Sequence, residues 1–384
     1  MRVAIFSDHF QPELGGIQDA VECLARGLAD RGHLIDLYVP RYSVNEYRKA
    51  GLPFREVALH ENISIHRQSS IPYRGHTMQT RLALPLYTPI SLMKNRRPDV
   101  IHSHTVFGLG LAALAAARFW EVPLISTYHM AMAVYATYIP KPLLKNFTGY
   151  VKWYLNQSDF VSAPAGFVFD EIGKLRPPHE VISNSIDTEL FRPPEAAARS
   201  GETVRMIYAG KLTTEKRVDV LIRALRGIRE TTPNVSLSVA GHGDQQEALN
   251  TLVRTLDLKQ AVRFEGTLNK TQLSDAYRNS NIFVSMSSSE VQSISQMQAM
   301  ACALPVVCAR GEAHTKVSDP AKTGVVSVPP NSSANFIETI CRLASKPKML
   351  RQMSERAASF SDAYSIPAIS AEWEDRYHDV VGHQ

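Results

Sequence analysis

Apolar positions fall along this chain in two alternating rhythms, short unbroken runs and stretches spaced every three or four residues, and the alternation predicts repeated βα units. Residues 2–6 are an apolar run suited to a buried strand. Ile17, Ala20, Val21, Leu24, Ala25 and Leu28 follow at helical spacing, and residues 34–39 form another run. That is one βαβ unit. It recurs with a strand at Val100-Ile-His-Ser-His, a helix over residues 109–120, and strands at residues 123–127 and 160–163. Phe191-Arg-Pro-Pro-Glu-Ala-Ala-Ala-Arg-Ser-Gly then breaks the pattern as a linker would. Beyond it come strands at residues 204–208, 235–240, 262–264 and 282–285, with a helix-period stretch over 218–228. The repetition predicts an α/β protein of two Rossmann-like, doubly wound halves facing a cleft, with ligands bound beyond the carboxyl ends of the strands. Expected boundaries are 1–186, 187–364 and a closing helix over 365–384 that returns toward the first half. In that helix Ile366, Ile369, Trp373 and Tyr377 share one face, Ser365 is a candidate cap, and Pro367 is tolerable in the first turn.

A length of 384 residues with 44% hydrophobic content exceeds what one core usually supports, which favours two domains, although length alone permits a single α/β barrel. Cys23, Cys302, Cys308 and Cys341 are scattered without metal or redox spacing, so a reducing cytoplasm is expected, without a disulfide framework or a zinc site. The first residues run too soon into polar positions for a secretory signal. The longest apolar run, residues 106–117, is about 12 residues against the roughly 20 needed to span a bilayer. A net charge of +5 permits attraction to phosphates or to anionic lipid at the inner face of the cell membrane, and no nucleic-acid partner is expected.

Several segments carry candidate chemistry. Ser287-Ser-Ser-Glu290-Val-Gln-Ser-Ile-Ser-Gln-Met-Gln298 places a lone acid where a strand ends and a helix begins. The serine hydroxyls are expected to cap a helix opening near Val291, whose free amides suit hydroxyls or an anion, while Glu290 accepts from sugar hydroxyls. Gly15 and Gly16, between the first strand and helix, let a backbone approach a diphosphate, or simply make a tight turn. Gly210-Lys211-Leu-Thr-Thr-Glu-Lys216-Arg217 offers two ammonium groups for a leaving nucleotide, or a solvated basic loop. His129, just past a strand end, is a candidate sugar contact, against a turn histidine with no special task. His102 and His104 alternate on a strand but lack acidic partners for a metal. With no Asp-x-Asp in the chain, no metal or other cofactor is expected, and phosphate charge falls to lysines and helix ends. Residues 128–154 mix methionines, aromatics and lysines, a chemistry suited to a membrane interface or a greasy acceptor groove, or to a helix burying aromatics against its core.

The segment around Glu290 resembles the signature of family 4 retaining glycosyltransferases, in which two glutamates eight positions apart hold the donor sugar and the nucleotide ribose. Gln298 stands where the second is expected. The Gly210 segment resembles that family's Gly-Arg-Leu-x-x-Glu-Lys-Gly run, with Lys211 for the arginine and Arg217 for the glycine. Ser183-Asn184-Ser-Ile-Asp187 resembles the family's Asn-Gly-Val-Asp, and residues 128–154 resemble lipid glycosyltransferases that act on diacylglycerol. The resemblance implies a GT-B fold and transfer of a hexose, with retention, from a nucleotide-diphosphate sugar to a lipid or glycan acceptor. It further implies catalytic roles for His129 and Glu290 and donor contacts from Gly15, Gly16, Gly210, Lys211, Lys216 and Gln298. An amide at 298 accepts through one oxygen, at about 0.5–1.5 kcal/mol where a carboxylate gains about 1.5–3 per bond, so weaker ribose binding is expected. A GT-B epimerase of nucleotide sugars and a non-catalytic sugar-nucleotide or lipid-binding homologue are the alternatives.

Overall fold

The computed structural model describes residues 1–13, 15–50, 52–55, 58–72, 81–84, 90, 93–132, 141–195, 203–287, 290–311 and 318–382, without the side chains of residues 49, 95 and 141–143. They form two compact units, Met1–Ser185 with Tyr364–Gln384, and Ile186–Ala363.

In the first unit seven parallel strands lie in the order β3-β2-β1-β6-β7-β8-β9, namely β1 Arg2–Phe6, β2 Leu34–Pro40, β3 Ile63–Gln68, β6 Val100–Ser103, β7 Leu124–Thr127, β8 Phe160–Ala163 and β9 His179–Val181. A small antiparallel pair, β4 Ser70–Pro72 and β5 Arg81–Ala83, stands apart. Helices α1 Gly16–Asp30, α2 Val44–Lys49, α3 Gly108–Trp120, α4 Lys141–Leu155 and α5 Phe167–Ile172 connect the strands. The central strands β6, β7 and β8 are buried at every position, the pattern of a parallel sheet covered on both faces.

The second unit has six parallel strands in the order β12-β11-β10-β13-β14-β15, from β10 Val204–Ala209, β11 Val235–Ala240, β12 Val262–Gly266, β13 Ile282–Ser285, β14 Val306–Ala309 and β15 Val325–Val328. This 3-2-1-4-5-6 order is that of a Rossmann sheet. Its helices are α6 Val218–Thr231, α7 Gln246–Thr255, α8 Lys270–Arg278, α9 Ile294–Ala301, α10 Ser333–Ala344 and α11 Pro347–Ser361. Both sheets reverse direction of winding at one point, between β1 and β6 and between β10 and β13.

The last helix, α12 Ile366–Gly382, packs in the first unit. Ile369, Trp373 and Tyr377 are buried in one cluster with Val21, Leu24 and Leu28 of α1, each large apolar side chain contributing about 1.5–3 kcal/mol. The two helices approach closely where α1 carries Gly27, since a Cβ there would stand 1.9 Å from Ser370 Oγ. Arg31 and His33 both bond the Glu374 carboxylate, the His33 contact at 2.7 Å.

One expectation needs correction. Helix α9 begins at Ile294 and not near Val291, because Ser293 is the residue whose hydroxyl accepts from a free amide, that of Gln296 at 3.4 Å. Ser287 is buried ahead of it, and Ser288 and Ser289 lie outside the described residues. The aromatics of α4 divide: Tyr154 is fully buried and bonds Gly110 O at 2.8 Å, whereas Trp153 is exposed, because adjacent helical positions point about 100° apart. Residues 133–140 of the aromatic stretch and 196–201 of the linker lie outside the described residues.

Candidate active site

In the second unit the chain leaves β10 through Gly210, Lys211 and Leu212 and enters α6 after a single 3-10 turn at Thr214–Lys216. Neighbouring loops hold this segment by its backbone. Gly210 N donates to Ala240 O at 3.0 Å, Leu212 N to His242 O at 3.1 Å, and Gln245 N to Leu212 O at 3.0 Å. Gly241 has φ +135°, and a Cβ on it would lie 1.9 Å from Gly210 O, so the turn after β11 must be glycine for the two loops to touch. Tyr208 Oη donates to Lys211 O at 2.9 Å. Burial, with the negative charges of Glu290 and Glu215 beside it, pushes that phenol well above its usual range, so Tyr208 stays a neutral donor.

Arg217 caps α6 with φ 53° and ψ 40°, the left-handed region that a glycine enters without strain and a side chain pays roughly 1–2 kcal/mol to occupy. Its guanidinium donates to Pro330 O at 2.7 Å.

Glu290 follows β13, the neighbour of β10 across the winding reversal, and Lys216 Nζ lies 2.6 Å from its Oε1. The two side chains are 20% and 21% exposed, so solvent screens the pair, which is worth at most about 1 kcal/mol to folding. What the contact supplies is a carboxylate that accepts from hydroxyls beside an ammonium that attracts phosphate oxygen. Lys211 is half-buried in the same loop, tied to Tyr208 through its carbonyl. Gln298 is buried on α9.

In the first unit Gly15 is the extended N-cap of α1 and Gly16 its first residue; both are exposed, with open space where a Gly15 Cβ would stand. His104 directly follows β6 and His129 lies two residues past β7. His104 Nδ1 stands 2.9 Å from His129 Nε2, with ring centroids 5.2 Å apart and planes 18° apart, so the two rings meet edge to edge. The His102 ring lies 4.2 Å from that of His104, tilted by 36°, and both of its nitrogens are engaged, Nδ1 with Tyr377 Oη and Nε2 with Thr127 Oγ1, each at 2.7 Å. Burial, with the His129 ring nearby, lowers the His102 pKa to about 3. Burial, with His9 nearby, lowers that of His129 to about 3. Burial, then His102 and His129, hold His104 well below the usual histidine range. All three are neutral near pH 7. Among the described residues no group of three or more His, Cys, Asp or Glu is placed to hold a metal ion.

A family model described as Glycosyltransferase Family 4 matches residues 14–190, and one described as Glycosyl transferases group 1 matches residues 194–360. The chain belongs to glycosyltransferase family 4. Over 80% of its length and 70% of the relative's, this glycosyltransferase is 24% identical to an alpha-monoglucosyldiacylglycerol synthase of Streptococcus pneumoniae. It is 21% identical to the synthase of the same name from Acholeplasma laidlawii, over 99% of this chain and 98% of that one. A D-inositol 3-phosphate glycosyltransferase of Kribbella flavida is 28% identical, over 94% of this chain and 92% of that one. Among solved structures, a sucrose-phosphate synthase from Thermosynechococcus elongatus superposes with a TM-score of 0.83 at 19% identity, covering 100% of both chains. Anabaena HepE in complex with UDP-glucose superposes with a TM-score of 0.74 at 15% identity, covering 99% of this chain and 100% of that one. The glycosyltransferase has the GT-B fold.

The structure thus brings Lys216 to Glu290 and places Gly210 and Lys211 in the loop beside them, while Gly15, Gly16 and His129 stand at strand ends of the first unit. Two residues escaped sequence reasoning in these roles. His104 was visible only as half of an Ile-His-Ser-His pair, and Tyr208 only as the end of a strand.

Proposed function

We propose that this glycosyltransferase moves a hexose, with retention of anomeric configuration, from a nucleotide-diphosphate sugar to a lipid or glycan acceptor. The observation that carries this reading is the 2.6 Å contact of Lys216 with Glu290 at the winding reversal of a Rossmann-ordered sheet, where open α/β sheets bind their ligands. In it Glu290 orients hydroxyls of the donor sugar and Lys211 and Lys216 take up the charge that grows on the leaving diphosphate. Gly210 lets the loop lie close to the phosphates, Gln298 meets the ribose, and Gly15 and Gly16 present amides to the diphosphate. His129 contacts the transferred sugar. Of the domains expected from the sequence, residues 187–364 serve the nucleotide sugar and residues 1–186 serve the acceptor.

Two diacylglycerol-named relatives favour the lipid as acceptor. So does the surface of the first unit. Helix α4, KPLLKNFTGYVKWYL, contains three lysines and no acid, and it exposes Lys145 and Trp153; Phe119 at the end of α3 is exposed as well. An aromatic ring among cations suits the headgroup layer of an anionic membrane, so the reading includes peripheral contact with the cytoplasmic face of the cell membrane. No described helix is long and apolar enough to cross one.

Thermal unfolding against UDP-, GDP- and ADP-sugars tests the donor. A ligand at one hundred times its Kd stabilises by about 2.7 kcal/mol, which at roughly 2–4 °C per kcal/mol for a domain of this size raises Tm by about 5–10 °C. The product anomer by NMR tests retention, and flotation with anionic vesicles tests the surface. Silence toward every nucleotide sugar would overturn the reading.

A further inference from the structure

We propose that His104 is the positioning residue of His129, donating from its Nδ1–H to His129 Nε2 and so holding the His129 imidazole in the tautomer whose only proton is on Nδ1. The inference rests on the reading in which His129 contacts the transferred sugar, and deepens it by naming the nitrogen that donates.

The geometry leaves few arrangements. The facing nitrogens are 2.9 Å apart, a hydrogen-bond distance, so one carries a proton and the other a lone pair. Neither ring is charged near neutral pH, because burial opposes the imidazolium at both. The His104 ring is held by two contacts, the His102 ring 4.2 Å away and the bond to His129 at its edge. His102 is itself fixed by Tyr377 and Thr127, so the chain of contacts reaches from α12 to the end of β7.

The direction of the bond follows from the far side of His104. Its Nε2 is buried and has no hydrogen-bond partner among the described residues. If His129 were the donor, His104 would carry its proton on that nitrogen, leaving a buried N–H without an acceptor. If His104 is the donor, the buried atom is a lone pair. Orphaned buried donors are the rarer of the two in folded proteins, so the second arrangement is preferred. His129 then has Nε2 occupied as an acceptor, and a ligand hydroxyl oxygen can receive a proton only from Nδ1. A neutral imidazole held this way is a fixed hydrogen-bond donor, without the role of a general acid.

Nitrogen NMR of the full chain labelled with [15N]histidine reads the tautomer directly, with His129 assigned by loss of its signals in His129→Gln. The expected result is a pyrrole-type Nδ1 and a pyridine-type Nε2. In His104→Leu the constraint is gone, and the Nε2–H form that free imidazole side chains prefer should reappear. On the functional side, kcat should fall about tenfold in His104→Leu while the donor KM changes by less than about twofold, the split expected when orientation and not binding is lost. His104→Asn, whose amide N–H overlies Nδ1–H, should recover most of that loss. A proton on Nε2 of His129 in the wild-type protein would overturn the proposal, as would an unchanged tautomer in a folded His104→Leu protein or a shift to the Nε2–H form in a folded His104→Asn protein. If no donor is turned over at all, the functional reading fails and the nitrogen spectrum still decides the tautomer.

Discussion

Three neutral histidines packed together in one core make the first unit sensitive to acid. A histidine with a folded pKa below its unfolded value binds its proton only on unfolding. Its stabilising contribution is therefore complete above about 6.5 and is lost as pH falls from there toward the folded value. For His102 and His129, both near 3, the loss on going from pH 7.5 to pH 5.0 is about 1.36 kcal/mol times 1.5 pH units, or about 2 kcal/mol each. The figure depends almost wholly on the unfolded pKa, since the folded groups are still neutral at pH 5.0. His104 adds in the same direction. Replacing His102 by glutamine removes one of these proton sites, and the pH-independent cost of its lost bonds cancels when one variant is compared with itself at two pH values. The assay is urea unfolding followed by tryptophan fluorescence, because all three tryptophans, Trp120, Trp153 and Trp373, belong to the first unit. Between pH 7.5 and 5.0 the His102→Gln protein should lose about 2 kcal/mol less than the wild type. Parallel losses, within about 0.5 kcal/mol of each other, would refute the claim that His102 is held neutral by burial.

Lys216→Ala should lower kcat roughly 100-fold in a transfer assay, the usual cost of removing one preorganised charge from a developing anion, while moving Tm little because the pair is screened. Gln298→Glu should tighten nucleotide-sugar binding by about 1 kcal/mol, roughly fivefold in Kd by calorimetry, if position 298 meets the ribose. Gly27→Val forces side-chain carbons into Ser370 and Ile366, and should destabilise the first unit by about 1–3 kcal/mol in the tryptophan-monitored urea transition.

Much of the architecture was legible because parallel strands buried on both faces leave unbroken apolar runs. β1 and β13 announce themselves in this way apart from one polar end residue, and β2, β7, β8 and β10 do so with one or two polar positions in the run. The edge strands of the first sheet do not. β3, Ile-Ser-Ile-His-Arg-Gln, alternates with polar residues, and β9, His-Glu-Val, is exposed at all three positions, so neither carries the signal. The closing helix was readable from Ile366, Ile369, Trp373 and Tyr377 at helical spacing, but its seat against Gly27 was not, since a glycine reveals a close approach only when its neighbour is known. The start of α9 was misplaced by attending to three serines. The informative residue was Ser293, three positions before Gln296.

The site was legible as residues and illegible as contacts, and strand order explains the difference. Lys216 and Glu290 are 74 positions apart, with β11 and β12 between them in sequence. They meet because β10 and β13 are neighbours where the sheet reverses, so the loops leaving both strands open at one place. The same rule joins His104 to His129, because β6 pairs with β7 and the two histidines leave adjacent strand ends on the same side. A sequence read strand by strand supplies each member of these pairs and says nothing of the pairing. The order of strands in each sheet is set by crossovers of similar local character, and an exchange of neighbours in either sheet would separate its pair without altering a single apolar run. Arg217 shows the converse case, where local geometry is decisive. The left-handed position that ends the turn after Lys216 is required by the entry into α6, so an arginine there accepts strain that a glycine would not, and its side chain offsets part of it by bonding Pro330 O.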